Sequence, residues 1–292
     1  MRKRSYKITN LDGTIAINFD NKTYTKSLLD LGNIEANLAT YVGAGQAGNT
    51  ITSRNYGTRD IEIQGYVLAD TEEEMKNRKA TLQKVIVPTT DFYLVIDDKY
   101  RLRITATSTL QYETDWYLNC EMLTKFTIEG TCSNPFFETV QEQQASITGW
   151  VKDFHFPYCN PVGQQFTFGH RSTSKIVDLR NESEVTTGMV IEFKAVAGTI
   201  VNPVLRNITT GEEFKLLATI SSGDEIRVNT AYGEKSVRNI SEDTNWLQYV
   251  SLDSTWLQMP VGLSSFRYDY DEEESTGTLE CNVYYTPQLI EV

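Results

Sequence analysis

The chain has 292 residues, a formal net charge of −12 and hydrophobic residues at 40 % of the total. This length suits two domains, and the negative charge argues against wrapping nucleic acid over the general surface, because phosphates repel it. A polar segment follows the basic residues 2–4, and no run of about 18 apolar residues occurs, so the sequence predicts neither a signal peptide nor a transmembrane helix.

The composition favours β-structure. Tyr (16), Phe (12) and Trp (4) are plentiful and Pro (7) is scarce, and aromatic side chains suit a pleated, half-buried surface. The four cysteines contain no C-x-x-C pair, and the chain has only two histidines, so we predict free, buried thiols and no metal site. These cysteines are Cys120, Cys132, Cys159 and Cys281.

The first half of the chain predicts strands and one helix. Asp12-Gly13 is a turn signal between strands at 7–11 and 14–19, and residues 59–67 alternate as a further strand. Asp70 or Thr71 can cap a helix that reaches Pro88, with acidic residues at its start and basic residues after them. Strands are then predicted at 92–96, 100–106, 116–123 and 125–129.

A glycine-rich stretch at residues 42–57 contains the letters G-x-G-x-x-G at 43–48. A dinucleotide-binding loop needs a helix directly after this motif, whereas polar and β-branched residues follow here. We therefore predict a long flexible loop at 42–57 rather than a nucleotide site.

The second half predicts short strands only. A polar linker is expected at 138–148, after an N-terminal domain at 1–137 and before a C-terminal domain at 149–292. Strands separated by turn signals then follow at the spacing of a β-sandwich, the first at 166–168. The acidic block 269–274 lacks the spacing of a calcium loop and is expected to be a solvated turn.

No catalytic constellation is evident in the sequence. It has no G-x-S-x-G, no H-E-x-x-H and no P-loop. We expect His155, between two phenylalanines, to be packed or to face a partner, and His170 to lie in a turn. Trp116, Trp246 and Trp256 are expected to pack in the core, and no catalytic, cofactor-binding or metal-binding residue is assigned.

Several segments, taken in order, carry a resemblance to a known family. They are the strand 59–66, the helix 71–87 with Arg78, Leu82 and Val85, the hairpin 92–104, and the segments 134–137, 201–207, 209–214, 222–229 and 256–266. Their order along nearly the whole chain resembles that of the siphophage distal tail proteins. Residues 259–264 depart slightly from the L-x-x-G-x-N that relatives tend to have near this point.

The resemblance implies a mostly β fold. Its N-terminal belt domain would be β-sandwich-like with one α-helix and would assemble head to tail into a hexameric ring, and its C-terminal domain would be a galectin-like β-sandwich. Implied partners are other copies of the chain, the tail tube protein, the tail-associated lysin or tail-tip protein and, in some members, receptor-binding proteins. DNA would only pass through the ring lumen, and no membrane or cofactor is implied. The expected location is the virion tail tip, after assembly in the host cytoplasm.

Two alternatives to a structural ring protein remain open from the residues alone. A β-sandwich with several Trp and Tyr residues could stack sugar rings, so a carbohydrate-binding module that aids attachment to the host cell wall is the runner-up. Galectin-type recognition needs a set of His, Asn, Arg and Trp on neighbouring strands, which the sequence does not reveal. An enzyme ranks last, for want of a nucleophile, a metal site or an acid–base pair.

Overall fold

A computed structural model describes residues 4–146, 150–152, 169–171 and 175–292. These residues are mostly β-structure with one α-helix, as predicted. The chain divides into two compact units. The N-terminal unit is Met1–Val140 with Ile290–Val292, and the C-terminal unit is Gln141–Leu289. The division falls inside the segment predicted as a linker, and the domain boundaries themselves stay predictions.

The N-terminal unit is built on one antiparallel sheet, ordered β2-β1-β7-β8-β10-β6-β3, in which β9 also pairs with β10 and β11 with β8. A separate two-stranded sheet pairs β4 with β5. The strands are β1 (Tyr6–Asn10), β2 (Ala16–Asn18), β3 (Tyr24–Asp30), β4 (Ala36–Tyr41), β5 (Thr50–Tyr56), β6 (Arg59–Leu68), β7 (Asp91–Ile96), β8 (Tyr100–Ala106), β9 (Gln111–Tyr112), β10 (Leu123–Cys132) and β11 (Phe137–Thr139). The predicted hairpins of β1 with β2 and of β7 with β8 are confirmed.

The predicted helix is confirmed as α1 (Glu72–Val85), which ends two residues before the predicted limit at residue 87. Thr71 is its N-cap, and the Thr71 hydroxyl accepts a hydrogen bond from the Glu74 backbone N–H at 3.3 Å. Met75, Leu82 and Val85 are buried, whereas the acidic first turn is exposed. The helix therefore covers the core with one apolar face.

Along strand β6, buried residues alternate with more exposed ones, and the buried residues form part of the core of this unit. Ile61, Ile63, Gly65 and Val67 face inward at every second position. Gly65 lies opposite Phe126 of β10, and a Cβ atom at Gly65 would sit 2.7 Å from the Phe126 ring. The Thr25 carbonyl oxygen, 2.3 Å from the same Cβ position, and the Phe126 ring together occupy the space that a side chain at position 65 would need.

The C-terminal unit is a β-sandwich. A six-stranded sheet, β12-β25-β16-β21-β22-β23, and a four-stranded sheet, β15-β24-β18-β19, contribute to one apolar core that contains Phe193, Leu205, Phe214 and Phe266. A 3-10 helix spans Leu247–Tyr249. The strands are β12 (Gln143–Ser146), β13 (Trp150–Lys152), β14 (Gly169–Arg171), β15 (Ile176–Asn181), β16 (Met189–Ala197), β17 (Thr199–Val201), β18 (Val204–Asn207), β19 (Glu213–Lys215), β20 (Thr219–Ser221), β21 (Glu225–Asn229), β22 (Ser236–Asn239), β23 (Thr244–Asn245), β24 (Gly262–Asp269), β25 (Thr278–Tyr285) and β26 (Gln288–Leu289).

The structure corrects some local predictions. Residues 116–122 lie in the connection before β10 rather than in a strand, and Cys120 within it is exposed rather than buried. His170 lies in strand β14 rather than in a turn. Cys132 and Cys281 are buried, as predicted. His155, Cys159 and the strand predicted at 166–168 fall outside the described residues.

We predict that Gly65→Ala lowers the free energy of unfolding by about 1–3 kcal/mol, because the new methyl group would clash with the Thr25 carbonyl oxygen and the Phe126 ring in a packed core. Urea unfolding followed by fluorescence measures the change. Gly43→Ala is the control, since the closest atom there would be Oε1 of the flexible Gln46 side chain at 3.2 Å, and the other neighbours lie at ordinary van der Waals distance. Equal stability of the two variants would contradict the proposed crowding.

Candidate assembly surface of the N-terminal unit

Strands β4 and β5 form a hairpin, called here the arm, that pairs with no other strand of the described chain. Its register runs from Ala36 opposite Tyr56 to Tyr41 opposite Thr50, with one irregularity between Ala39 and Thr40. Every residue of both strands is exposed. The arm therefore has no buried face of its own.

The arm nevertheless carries large apolar side chains. Leu38, Tyr41, Val42, Ile51 and Tyr56 are each exposed by 42–64 %. Exposed apolar side chains that cluster on one element, rather than lying singly, are typical of an interaction surface.

The glycine motif forms the tip of the arm. Gly45 and Gly48 have φ values of +75° and +83°, which favour glycine. The Gln46 side chain accepts from the Gly43 N–H at 3.0 Å and donates to the Thr50 hydroxyl at 2.8 Å. Strand β5 follows, not a helix, so the motif closes a hairpin, and the prediction of a loop over all of 42–57 is wrong for the β5 residues.

A buried arginine holds the base of the arm. Arg59 is 3 % exposed, and its guanidinium donates to four backbone carbonyls on three segments of the chain. Nε donates to Pro135 at 2.9 Å, Nη1 to Leu31 at 3.3 Å and Gly32 at 3.4 Å, and Nη2 to Ile290 at 2.7 Å. Because guanidinium offers five donors in a rigid fork, one side chain can satisfy all of these acceptors.

Aromatic and thiol groups complete the surroundings of Arg59. Its guanidinium carbon lies 4.9 Å from the centroid of the Phe137 ring. Burial lowers the pKa of Arg59 and raises the pKa of the nearby Cys132 thiol to about 12. Cys132 therefore stays neutral near pH 7, and the charge of Arg59 is stabilised chiefly by backbone carbonyls.

Two glycines fix the path of the chain into and out of the arm. Gly32 has φ +59°, and a Cβ there would lie 2.0 Å from the Asp60 carbonyl oxygen. Gly57 donates to the Glu35 carbonyl at 2.7 Å, and a Cβ at Gly57 would lie 2.9 Å from that oxygen. The segments at the arm base approach too closely for any larger residue.

Strand β3 is the outermost strand of the main sheet. It pairs with β6 on one side, and no strand of the described chain pairs with its other side. Its register is irregular between Lys26 and Leu28, and Leu28 is exposed. An open strand edge can form backbone hydrogen bonds with a strand of another molecule.

A further apolar projection, called here the aromatic loop, spans residues 113–122 between β9 and β10. Trp116 is 82 % exposed and makes an edge-to-face contact with Tyr117, their ring centroids being 6.1 Å apart. Met122 is exposed as well. The prediction that Trp116 packs in the core is therefore wrong.

A groove of about 610 Å³ separates the aromatic loop from α1. The residues that line it are Glu72, Met75, Lys76, Lys79, Ala80, Gln83, Asn119, Cys120 and Glu121.

The tryptophans of the C-terminal unit behave differently. Trp246 and Trp256 are half-buried and pack against the core, as predicted, and the ring centroids of Trp256 and Phe214 are 5.4 Å apart. The side chain of Trp150 lies outside the described residues. Neither Trp246 nor Trp256 is available as a fully exposed platform.

Among the described residues, no group of three or more His, Cys, Asp or Glu is placed to hold a metal ion. No helix of the described part of the chain is long and apolar enough to cross a membrane.

We predict that Arg59→Lys lowers the free energy of unfolding by about 2–4 kcal/mol, because an ammonium group cannot reach all the carbonyls and each buried acceptor left unsatisfied costs about 1–3 kcal/mol. Urea unfolding of the N-terminal unit measures the loss. Arg54→Lys, on the exposed strand β5, is the control and should stay within about 0.5 kcal/mol of the native chain. A loss no larger at position 59 than at 54 would show that the carbonyl contacts contribute little.

Comparisons with known proteins agree with this architecture. Residues 5–129 match the model of the phage tail protein RIFT-related domain, and residues 182–288 match that of the siphovirus-type tail component, C-terminal domain. Together the two models cover most of the chain. No match was found among curated protein sequences.

Solved structures share the fold across the whole chain. SPP1 Dit, described as a paradigm of the hub adsorption apparatus in phages infecting Gram-positive bacteria, has a TM-score of 0.64 at 11 % identity, covering 97 % of this chain and 98 % of its own. A chain of the phage p2 baseplate in its activated conformation with Ca has a TM-score of 0.57 at 11 % identity, covering 100 % of both chains. The same baseplate with Sr gives 0.50 at 14 % identity, covering 97 % and 98 %. The chain belongs to the siphophage distal tail protein family.

Proposed function

We propose that this protein forms a hexameric ring at the distal end of a siphophage tail and joins the tail tube to the tail-tip protein or lysin. Membership of the distal tail family supports a structural role in the tail or baseplate. The observation that carries the ring proposal is the arm, a hairpin with no buried face that displays apolar side chains to solvent.

A ring needs two different complementary surfaces on each subunit. In a head-to-tail interface, one patch of a copy contacts another patch of the next copy, and closure depends on the rotation between them. The N-terminal unit offers three distinct exposed features for this purpose: the arm, the open edge of β3 and the aromatic loop.

The arm is the feature that gains most from assembly. Burying Leu38, Val42 and Ile51 from their present exposure contributes about 1 kcal/mol or more for each side chain. The tip is already shaped by Gln46, and the base is clamped by Arg59, so little conformational entropy is lost on docking. The neighbouring subunit or the tail tube protein would receive the arm.

The net charge of −12 fits a ring through which DNA passes without adhering. Phosphates are repelled by an acidic protein and bind to clusters of Lys and Arg. In the proposed tail tip, assembled in the host cytoplasm, other partners are the tail tube protein, the lysin or tail-tip protein and, in some phages, receptor-binding proteins. This role is structural and requires no catalytic group.

We expect the purified protein to have a mass of six times the 33.2 kDa chain by light scattering, or, where the tail tube protein is needed for closure, that mass plus the mass of the bound tube subunits. The triple variant Leu38→Ser, Val42→Ser, Ile51→Ser should shift this mass toward the monomer, because the arm loses its apolar contacts. Negative-stain microscopy would show rings for the native chain only.

The control for this experiment is Leu252→Ser, which removes a fully exposed leucine from the C-terminal unit. It should leave the mass and the rings unchanged. Normal ring formation by the arm variant would overturn the role given to the arm, while a strictly monomeric native protein with its tube partner present would overturn the ring itself.

Limited proteolysis gives an independent prediction. Trypsin should cleave after Arg54 on the exposed strand β5 of the free protein, and assembly should protect this bond. Lys235, in an exposed turn of the C-terminal unit, is an internal reference that should be cut equally in both states. Unchanged cleavage at Arg54 after assembly would count against burial of the arm.

A further inference from the structure

Residues Ile290–Val292, called here the strap, belong to the N-terminal unit. In the sequence they follow Gln141–Leu289, which is the whole of the C-terminal unit. The N-terminal unit is therefore built from two stretches of chain with a complete folded unit between them. Any contact that the strap makes can form only after the C-terminal unit has been synthesised.

The strap supplies an acceptor to the buried arginine at the base of the arm. Arg59 Nη2 donates to the Ile290 carbonyl at 2.7 Å, the shortest of its four contacts with backbone carbonyls. Arg4 Nη1 donates to the Val292 backbone oxygen at 2.8 Å. Without the strap, a guanidinium that is only 3 % exposed would lose an acceptor, and a buried donor left unsatisfied is costly.

Arg59 also joins the two ends of the arm. It lies shortly after strand β5, and it donates to the carbonyls of Leu31 and Gly32, which precede strand β4. Between these contacts and the arm, the Gly57 N–H donates to the Glu35 carbonyl at 2.7 Å. A guanidinium that loses one acceptor can reorient, and both segments that hold the arm would then lose a fixed point.

Folding of the C-terminal unit brings the two ends of that unit together. Gln143 of β12 lies directly opposite Tyr285 of β25. Closer to the strap, the Gln288 N–H donates to the Ser183 hydroxyl at 2.8 Å, and the Gln288 carbonyl accepts from the Glu184 N–H at 3.1 Å. In an unfolded C-terminal unit the same residues would end a long flexible loop, whose closure costs conformational entropy that rises with loop length.

The strap reaches Arg59 beside the segment from which the chain leaves the N-terminal unit. Arg59 Nε donates to the Pro135 carbonyl at 2.9 Å, and the guanidinium carbon lies 4.9 Å from the centroid of the Phe137 ring. One side chain therefore contacts the chain shortly before the C-terminal unit and directly after it. When that unit is folded its ends are already paired, so the strap can dock without the cost of closing a long loop.

We propose that the strap makes the arm dependent on the folding of the C-terminal unit. A chain that stops before residue 290, or whose C-terminal unit is unfolded, keeps the apolar side chains of the arm but lacks its fixed base. Such a chain would lose more conformational entropy on docking and would be excluded from the ring. This exclusion rests on the function proposed above, whereas the dependence of the arm base on the C-terminal unit does not.

Maleimide labelling of the full-length protein, with the labelled peptides identified by mass spectrometry, tests this dependence. Cys132 lies opposite Arg59 in the sheet and is fully buried, so its labelling rate measures opening of the arm base. Cys281 is fully buried in the core of the C-terminal unit, and its rate measures opening there. Cys120 is exposed and serves as the internal reference.

The labelling is done in the triple-serine variant of the arm, so that ring contacts do not protect Cys132. Deletion of residues 290–292 should raise the rate at Cys132 by about tenfold or more, because an unsatisfied buried donor favours the open state, and should leave Cys281 unchanged. The control variant Val292→Ala keeps both backbone acceptors of the strap and should leave both rates unchanged. An unchanged rate at Cys132 after the deletion would overturn the proposal.

A core substitution tests the dependence from the other side. Phe193→Ala destabilises the C-terminal unit, since Phe193 is fully buried in its core. Labelling of Cys281 and Cys132 should then become faster together in the same protein. Faster labelling of Cys281 alone would show that the arm base does not depend on the C-terminal unit.

With the native arm, the strap-deleted chain should stay monomeric by light scattering under conditions in which the native chain forms rings. Rings of the deleted chain would overturn the exclusion. A native chain that forms no ring would instead overturn the function proposed above, and the labelling rates would still decide whether the strap and the arm base are coupled.

Discussion

A single buried guanidinium holds together the segments from which the arm leaves the N-terminal unit. Arg59 donates to carbonyls of the adjacent Leu31 and Gly32, of Pro135 and of Ile290, which belong to three segments far apart in sequence. A charge in a protein interior is costly unless hydrogen bonds replace its hydration. The four carbonyls replace the hydration of the Arg59 cation, and the cation in turn satisfies these four hydrogen-bond acceptors. Every residue of strands β4 and β5 is exposed, whereas the base of the arm is fixed by the buried side chain of Arg59.

In the N-terminal unit, the elements that form the core differ from the elements that expose apolar side chains or a free strand edge. The alternating strand β6 and the helix α1 bury the apolar groups that stabilise the fold. The arm, the β3 edge and the aromatic loop contribute little to that core and keep their hydrogen-bonding and apolar groups toward solvent. Assembly can therefore use these surfaces without repacking the interior.

The features that could be predicted from sequence are those with a buried face or a local cap. The alternation of β6, the Thr71 cap and the stop at Pro88 each follow from nearby residues. The arm could not be predicted as strands, because period-two patterning appears only when one face is buried. The sequence predicts a core position for Trp116 because Trp116 lies beside Tyr117 in a segment that resembles a strand. The position of Arg206 opposite Arg267 on neighbouring strands depends on sheet register, which local sequence does not reveal.

The exposed side chains of the arm also have a thermal consequence. Removing apolar surface from water lowers the heat capacity, and near room temperature its driving force is mainly entropic. A ring closed by Leu38, Val42 and Ile51 would therefore hold together less firmly in the cold than at the growth temperature of a host. The same three side chains would make the free subunit prone to self-association wherever it accumulates without its partners.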